Sequence, residues 1–187
     1  EGREADLRLF FNALRGRSPQ GAVVRTVDII WSRIPTNTSP STEFIIAPSD
    51  PSAIGAPMPT PDIAVCEDCL RELNTPEDPR YRNPFISCTH CGPRFSILER
   101  LPYDRETTSM SVFPMCTLCT LQYGNHSDRR CHAQTICCND CGPRLTFHSR
   151  DNADICGDNA LDMAVTALKA GKIIAIKGIG GYHFACT

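Results

Sequence analysis

The sequence predicts an α+β fold, a small multi-domain fragment with two four-cysteine modules set between two partial α/β pieces. Three observations predict it. Eight of the twelve cysteines form two copies of one pattern, 50 residues apart: Cys66-x2-Cys69 with Cys88-x2-Cys91, then Cys116-x2-Cys119 with Cys138-x2-Cys141. In each copy 18 residues separate the two Cys-x2-Cys knuckles, and both copies close on Cys-Gly-Pro-Arg, at 91–94 and 141–144. The flanks carry helix and strand patterns, each too small to bury a full core alone.

Residues 1–16 read as a helix, with Ala5, Leu7, Leu9, Phe10, Ala13 and Leu14 as an apolar stripe and Gly16 as the stop. Residues 22–31 are rich in β-branched side chains and read as a strand, and residues 43–47 as a second, short one. Five prolines fall within 48–62, so residues 51–62 read as an extended linker. The cysteine-rich region, 63–147, has few long apolar runs and many turn residues, as expected where metal replaces an apolar core. Residues 158–171 read as a helix, with Ala160, Leu161, Ala164, Val165 and Leu168 on one face and Gly171 as its cap. Lys172–Lys177 follows as a largely apolar strand, expected to be buried, and Gly178-Ile-Gly-Gly181 as a tight turn.

Composition bounds the function. Hydrophobic residues at 41% and charged residues at 21% are ordinary for a globular chain. A net charge of −2 gives no reason to expect nucleic acid, and no run of 18 apolar residues predicts a membrane span. There is no basic-plus-apolar leader, and the chain starts without Met and stops at Thr187 just after an apolar run, so it reads as a fragment of a longer protein. Cysteines in paired knuckles suit a metal better than a disulfide framework, because two thiolates three residues apart reach one ion from a tight turn. A reducing, cytoplasmic setting is then expected.

Each copy offers four thiolates and no open coordination position, which points to structural rather than catalytic metal. Two Zn2+ ions are favoured, although rubredoxin-like iron and iron–sulfur clusters also use four cysteines. One ion per copy is the simpler arrangement, and an exchange of knuckles between copies is the alternative. Gly92 and Gly142 are expected to take positive φ and turn N–H groups onto the thiolates, and Arg94 and Arg144 to offset the residual charge. Cys131, Cys137, Cys156 and Cys186 are left over; Cys137 could substitute for Cys138, but the 50-residue register assigns Cys138. His90, His126, His132 and His148 read as hydrogen-bonding or surface residues. Lys177, ending a strand before a glycine-rich turn, is chemically suited to an anion, although by itself Lys-Gly-Ile-Gly-Gly reads first as an ordinary strand-ending turn.

Several longer motifs resemble one family. Asn83-Pro-Phe-Ile-Ser-Cys-Thr-His-Cys-Gly-Pro-Arg94, Pro102-Tyr-Asp-Arg105, Thr108-Ser-Met110, Asp128-Arg-Arg-Cys-His-Ala-Gln134 and Ile176-Lys-Gly-Ile-Gly-Gly-Tyr-His-Phe-Ala-Cys186 are similar to HypF, the carbamoyltransferases of [NiFe]-hydrogenase maturation. The resemblance implies that residues 1–50 are the C-terminal half of an acylphosphatase-like domain, 63–147 tandem zinc fingers, and 155–187 the start of a YrdC-like nucleotide-binding domain. It implies a reaction that uses carbamoyl phosphate and ATP with Mg2+, passes through carbamoyl-adenylate, and carbamoylates the C-terminal cysteine of HypE in the cytoplasm. It places a nucleotide or carbamoyl site at Lys177, Gly178, Gly180, Gly181 and His183. No catalytic residue is identified: the family's acylphosphatase anion loop and catalytic asparagine lie upstream of Glu1, so this chain alone is not expected to hydrolyse acyl phosphates. Cys131 and Thr135 depart from the family, which usually has Phe and Pro there.

Two other classes compete with the enzyme fragment. A non-catalytic zinc-ribbon interaction module would not need the helix, strand and Lys-Gly-Ile-Gly-Gly turn of 158–186. A threonylcarbamoyl-adenylate synthase relative would not need the fingers.

Overall fold

A computed structural model describes residues 3–18, 22, 24–30, 59–150 and 154–187. The chain divides into two compact units, Glu1–Asp50 and Pro51–Thr187. No helix among the described residues is long and apolar enough to cross a membrane.

In the first unit, helix α1 spans Glu4–Gly16, with Glu4 and Asp6 in its first turn favouring the positive end of the helix dipole. Its half-buried stripe is Leu7, Phe11 and Leu14, at helical spacing, whereas Leu9 and Phe10 of the expected stripe are exposed. The strand expected over 22–31 is not formed at residues 22 and 24–30. A β-branched run becomes a strand only when a neighbour satisfies its backbone groups, and none does so among the described residues. The strand expected at 43–47 and most of the 51–62 linker lie outside the described residues.

The second unit is built around the repeats. Helices α2 (Glu67–Leu73) and α3 (Thr117–Gly124) begin immediately after Cys66 and Cys116, which serve as their N-caps, and bury Cys69 and Cys119. Helices of 7 and 8 residues are too short to persist alone, so their stability comes from what the cysteines bind and pack against. Between the copies run three 3-10 turns, Phe95–Ile97, Arg105–Thr107 and Ser109–Val112. Arg105 pins this connector to the second copy, donating to the carbonyls of Gln134 and Ile136 at 2.9 Å each and to that of Phe113 at 2.6 Å. Asp62 ties the chain before the first knuckle to its end, accepting from the backbone N–H groups of Arg94 (2.8 Å) and Ser96 (3.1 Å).

Beyond the repeats, the short strands β1 (Thr146–Phe147) and β2 (Ile155–Cys156) pair antiparallel. Helix α4 (Asp158–Lys169) packs against both. Gly157 (φ 73°) precedes it and Gly171 (φ 70°) follows it, so left-handed glycines stand at both ends. The expected strand appears as β3 (Ile174–Gly178), paired antiparallel with a strand the sequence did not suggest, β4 (Gly181–Ala185), around a two-residue turn at Ile179-Gly180. The ribbon is not buried as expected: Ile176, Tyr182 and Phe184 are exposed. A two-stranded ribbon has no interior of its own, and besides its partner strand β3 packs against α4.

Candidate metal centres

The eight repeat cysteines assemble into two groups, Cys66, Cys69, Cys88 and Cys91, and Cys116, Cys119, Cys138 and Cys141, each with its sulfurs within 4.8 Å of one another. In the first group the Cys66–Cys88, Cys88–Cys91 and Cys69–Cys91 sulfurs are 3.7, 3.8 and 3.5 Å apart. In the second, the matching pairs are 3.6, 3.8 and 3.6 Å apart. A tetrahedron with Zn–S bonds of about 2.3 Å has edges of about 3.8 Å, so both groups fit one zinc ion each. These separations are far beyond the roughly 2 Å of a disulfide, and all twelve cysteines are free. Each group draws its ligands from one copy, so the knuckles are not exchanged.

The copies differ in how their closing glycine is used. Gly92 takes φ 95° as expected, and a Cβ there would lie 2.5 Å from the Ser87 Cβ. Gly142 does not take positive φ; it is small because a Cβ would lie 2.9 Å from the Cβ and Sγ of Cys137. Cys137 is not one of the four grouped cysteines, and its thiol points to the Phe85 carbonyl at 3.7 Å. It packs with Ile97 and Met110, and burial pushes its thiol up to about 11. The protonated thiol behaves as a small hydrophobe, and it is the Cys138 sulfur that stands in the second group.

The residual charge of the thiolates is not met by Arg94, whose guanidinium instead donates to the carbonyls of Cys88 (2.9 Å), Thr89 (3.0 Å) and Pro93 (2.8 Å), bracing the knuckle backbone. It is met by arginines from the opposite copy. Arg129 donates to Cys69 Sγ at 3.2 Å, and Arg130 reaches the same sulfur at 3.9 Å. In return Arg80 donates to Cys119 Sγ at 3.5 Å. Arg80 and Arg130 occupy equivalent positions, and the equivalence extends to every partner. Arg80 Nε donates to the Cys137 carbonyl (2.8 Å) and Arg130 Nε to the Ser87 carbonyl (3.0 Å). Arg80 Nη2 donates to Gln122 (2.6 Å), and Arg130 Nη2 to Glu72. Arg80 and Arg130 are only 1% and 2% exposed, so these charges sit in the interior between the copies.

Backbone contacts follow the same two-fold exchange. The Thr89 N–H donates to the Arg129 carbonyl (3.3 Å) and the Asn139 N–H to the Pro79 carbonyl (3.4 Å). Arg82 and His132, also equivalent, are the two non-glycine residues with positive φ among those described, at 57° and 53°. Each returns its N–H to the helix of its own copy, at Leu73 and Tyr123. Thr135 accepts a 2.8 Å bond from the Ser87 hydroxyl and adds a further tie between the copies. Burial alone would raise the Glu72 carboxyl, but the Arg130 and Arg129 hydrogen bonds outweigh it and hold its pKa at about 2.

The histidines serve as the sequence suggests. His132 stacks on Tyr123 with centroids 4.7 Å apart, and His148 pairs with Asp154 at 2.6 Å. At the hairpin, Lys177 lies opposite Tyr182 and 6.0 Å above its ring, whereas His183 lies opposite Ile176. Because side chains alternate along a strand, Lys177 and His183 project from opposite faces of the ribbon. Gly178 opposes Gly181 at its tip, on the His183 side.

Comparison with known proteins gives these features a context. A family model described as the HypF finger matches residues 65–98 and 115–148. A carbamoyltransferase HypF from Rhodobacter capsulatus is 46% identical over 185 residues, covering 97% of this chain and 24% of that protein. A probable carbamoyltransferase HypF from Methanocaldococcus jannaschii is 42% identical over 187 residues, covering 100% of this chain and 24% of that protein. Among solved structures, full-length HypF in a phosphate- and nucleotide-bound form aligns with a TM-score of 0.79 at 42% identity, covering 99% of this chain and 23% of its own. HypF from T. kodakarensis aligns with the same TM-score and identity over 100% of this chain and 23% of its own. The chain thus spans about a quarter of the length of the curated relatives it matches.

Proposed function

The chain belongs to the HypF family, and from that membership we propose that it is the finger-bearing part of a carbamoyltransferase, with two structural zinc ions bound by the eight repeat cysteines. The observation that carries this reading is the pair of closed, tetrahedrally spaced sulfur groups within a chain that resembles HypF carbamoyltransferases along its whole length. All four coordination positions of each group are occupied by thiolates, so the ions brace the fold. The fingers then act as scaffolding between catalytic parts, with residues 1–50 ending an acylphosphatase-like domain and 155–187 beginning a YrdC-like one.

On this reading the whole enzyme uses carbamoyl phosphate and ATP with Mg2+, forms carbamoyl-adenylate, and delivers the carbamoyl group to the C-terminal cysteine of HypE in the cytoplasm. Lys177, Gly178, Gly180, Gly181 and His183 contribute to its nucleotide or carbamoyl site. The hairpin supports a narrower division of labour than the sequence suggested. An anion held by the Lys177 ammonium lies on the Tyr182 face, and His183 serves the other face with the glycine tip.

Elemental mass spectrometry of the reduced chain tests the metal reading, with two zinc ions per chain expected. Iron, or a single zinc, would require a different role for the second group. In a full-length protein, Lys177→Ala is expected to abolish carbamoyl-dependent ATP–pyrophosphate exchange while both zinc ions stay bound. Wild-type exchange in that variant would remove Lys177 from the reaction.

A further inference from the structure

We propose that the two metal sites are coupled through the exchanged arginines, so that the chain gains and loses its two zinc ions together. The inference rests on the reading of both groups as zinc sites and adds a linkage between them.

A continuous path joins each site to the arginine that serves the other. Ile136 packs in the cluster formed by Cys119, Ala133 and Cys138, and its N–H donates to the Ala133 carbonyl at 3.0 Å. The Ala133 N–H donates to the Arg130 carbonyl, also at 3.0 Å, and the Arg130 side chain crosses to Cys69 of the first site. The first copy mirrors this path. Ile86 packs with Cys69, Cys88 and Cys91, and its N–H donates to Asn83 at 3.2 Å. The Asn83 N–H donates to the Arg80 carbonyl at 3.0 Å, and Arg80 crosses to Cys119 of the second site. Ordering of either sulfur group therefore fixes the turn that presents a donor to the other.

Each site draws positive charge across the exchange. The first site receives Arg129 and Arg130 with Glu72 beside them, a net of one positive charge. The second receives Arg80, with neutral Gln122 and Pro79 at the positions of Glu72 and Arg129. Each group of four thiolates around a divalent ion keeps two negative charges, met at the first site by two arginines of the second copy, which Glu72 of the first copy partly balances, and at the second by Arg80 of the first copy together with Arg105 of the connector. Losing the ion from one site loosens the turn that carries the other site's counter-charge, inside an interior where an unmatched charge is costly.

The test is native mass spectrometry of the full, reduced chain, with free zinc held by a chelator buffer at the level that half-fills the sites. Independent equivalent sites leave about half of the chains with one ion, and unequal ones leave more, whereas a coupling of about 10–100-fold lowers that share to about a quarter or a tenth. We expect the depleted one-ion form. In the double variant Arg80→Lys with Arg130→Lys, which keeps both charges but loses the forked donors, the one-ion form should return to about half with two ions still bound at saturation. A one-ion share of half or more in the unaltered chain overturns the coupling, whether or not the variant folds. Equal depletion in chain and variant overturns the arginine path. Saturation below two zinc ions overturns the zinc reading itself, and the coupling with it.

Discussion

Replacing Cys69 with Ser is expected to empty the first site, lower zinc content to one ion per chain or less, and expose the segment around 66–91 to protease. Cys69 has 0% exposure and is the acceptor for both Arg129 and Arg130, so its loss removes one ligand and an anchor of the buried Arg130 and the partly buried Arg129. Structural zinc contributes on the order of 10 kcal/mol to folding of small finger modules, more than the few apolar neighbours here can replace. Those neighbours are Ile86 and the half-buried Leu73, and α2 is too short to hold its own helix. Cys66→Ser is expected to be milder, because Cys66 is partly exposed and its one arginine contact, to Arg129, is 4.0 Å long. Zinc content and limited proteolysis check both variants. Equal behaviour of the two would mean that the arginine contacts add nothing to the site.

Arg130→Met is expected to destabilise the zinc-loaded chain by about 3 kcal/mol, the low end of what breaking a buried ion pair costs, since Arg129 remains beside Glu72. The substitution also strips the Ser87 carbonyl of its donor. Denaturant unfolding at fixed free zinc measures the loss. Arg80→Met should cost less in unfolding, because its partner Gln122 is neutral and no carboxylate is orphaned, and its effect should show in weaker zinc binding at the second site, which loses the counter-charge on Cys119. Adding Glu72→Gln to Arg130→Met should recover part of the loss, and no recovery would mean that the Glu72 charge is not what Arg130 balances. The sign of the pH effect is fixed by the depressed Glu72 pKa. Its contribution is complete above the unfolded value near 4.3 and fades as pH falls toward about 2, so the Arg130→Met difference should hold steady around neutral pH.

The sulfur groups were fully legible in the sequence, because ligand spacing within a knuckle is a local property and the 50-residue repeat pairs the knuckles. The register also resolved Cys138 against Cys137. The second sphere was not legible. Arg94 lies beside the first group in sequence but braces backbone, while the donors to Cys69 come from residues 60 and 61 positions away. No spacing rule links such residues; the clue available was that Arg80-Tyr-Arg82 and Arg130-Cys-His132 share the repeat register. Gly92 and Gly142 show the same limit, since one sequence position answers to backbone angle in one copy and to the Cys137 side chain in the other. At the C-terminal end, the helix was readable from its 3.6-residue stripe and from Gly171 beyond its end, whereas Gly157 at its start gave no signal of its own. The exposure of β3 was not, because an apolar strand does not specify what covers it.

The reciprocal arginines also set an order of events during synthesis. A chain leaves the ribosome N-terminus first, so Cys66, Cys69, Cys88 and Cys91 are all available before Arg129 and Arg130 have been made. The first copy can gather an ion at that stage, but its Cys69 sulfur has no guanidinium to meet and Arg80 has no Cys119 to reach. On the coupling proposed above, an ion gathered early by the first copy is held firmly only after Arg129 and Arg130 have been made, and both sites settle together once residue 141 has emerged.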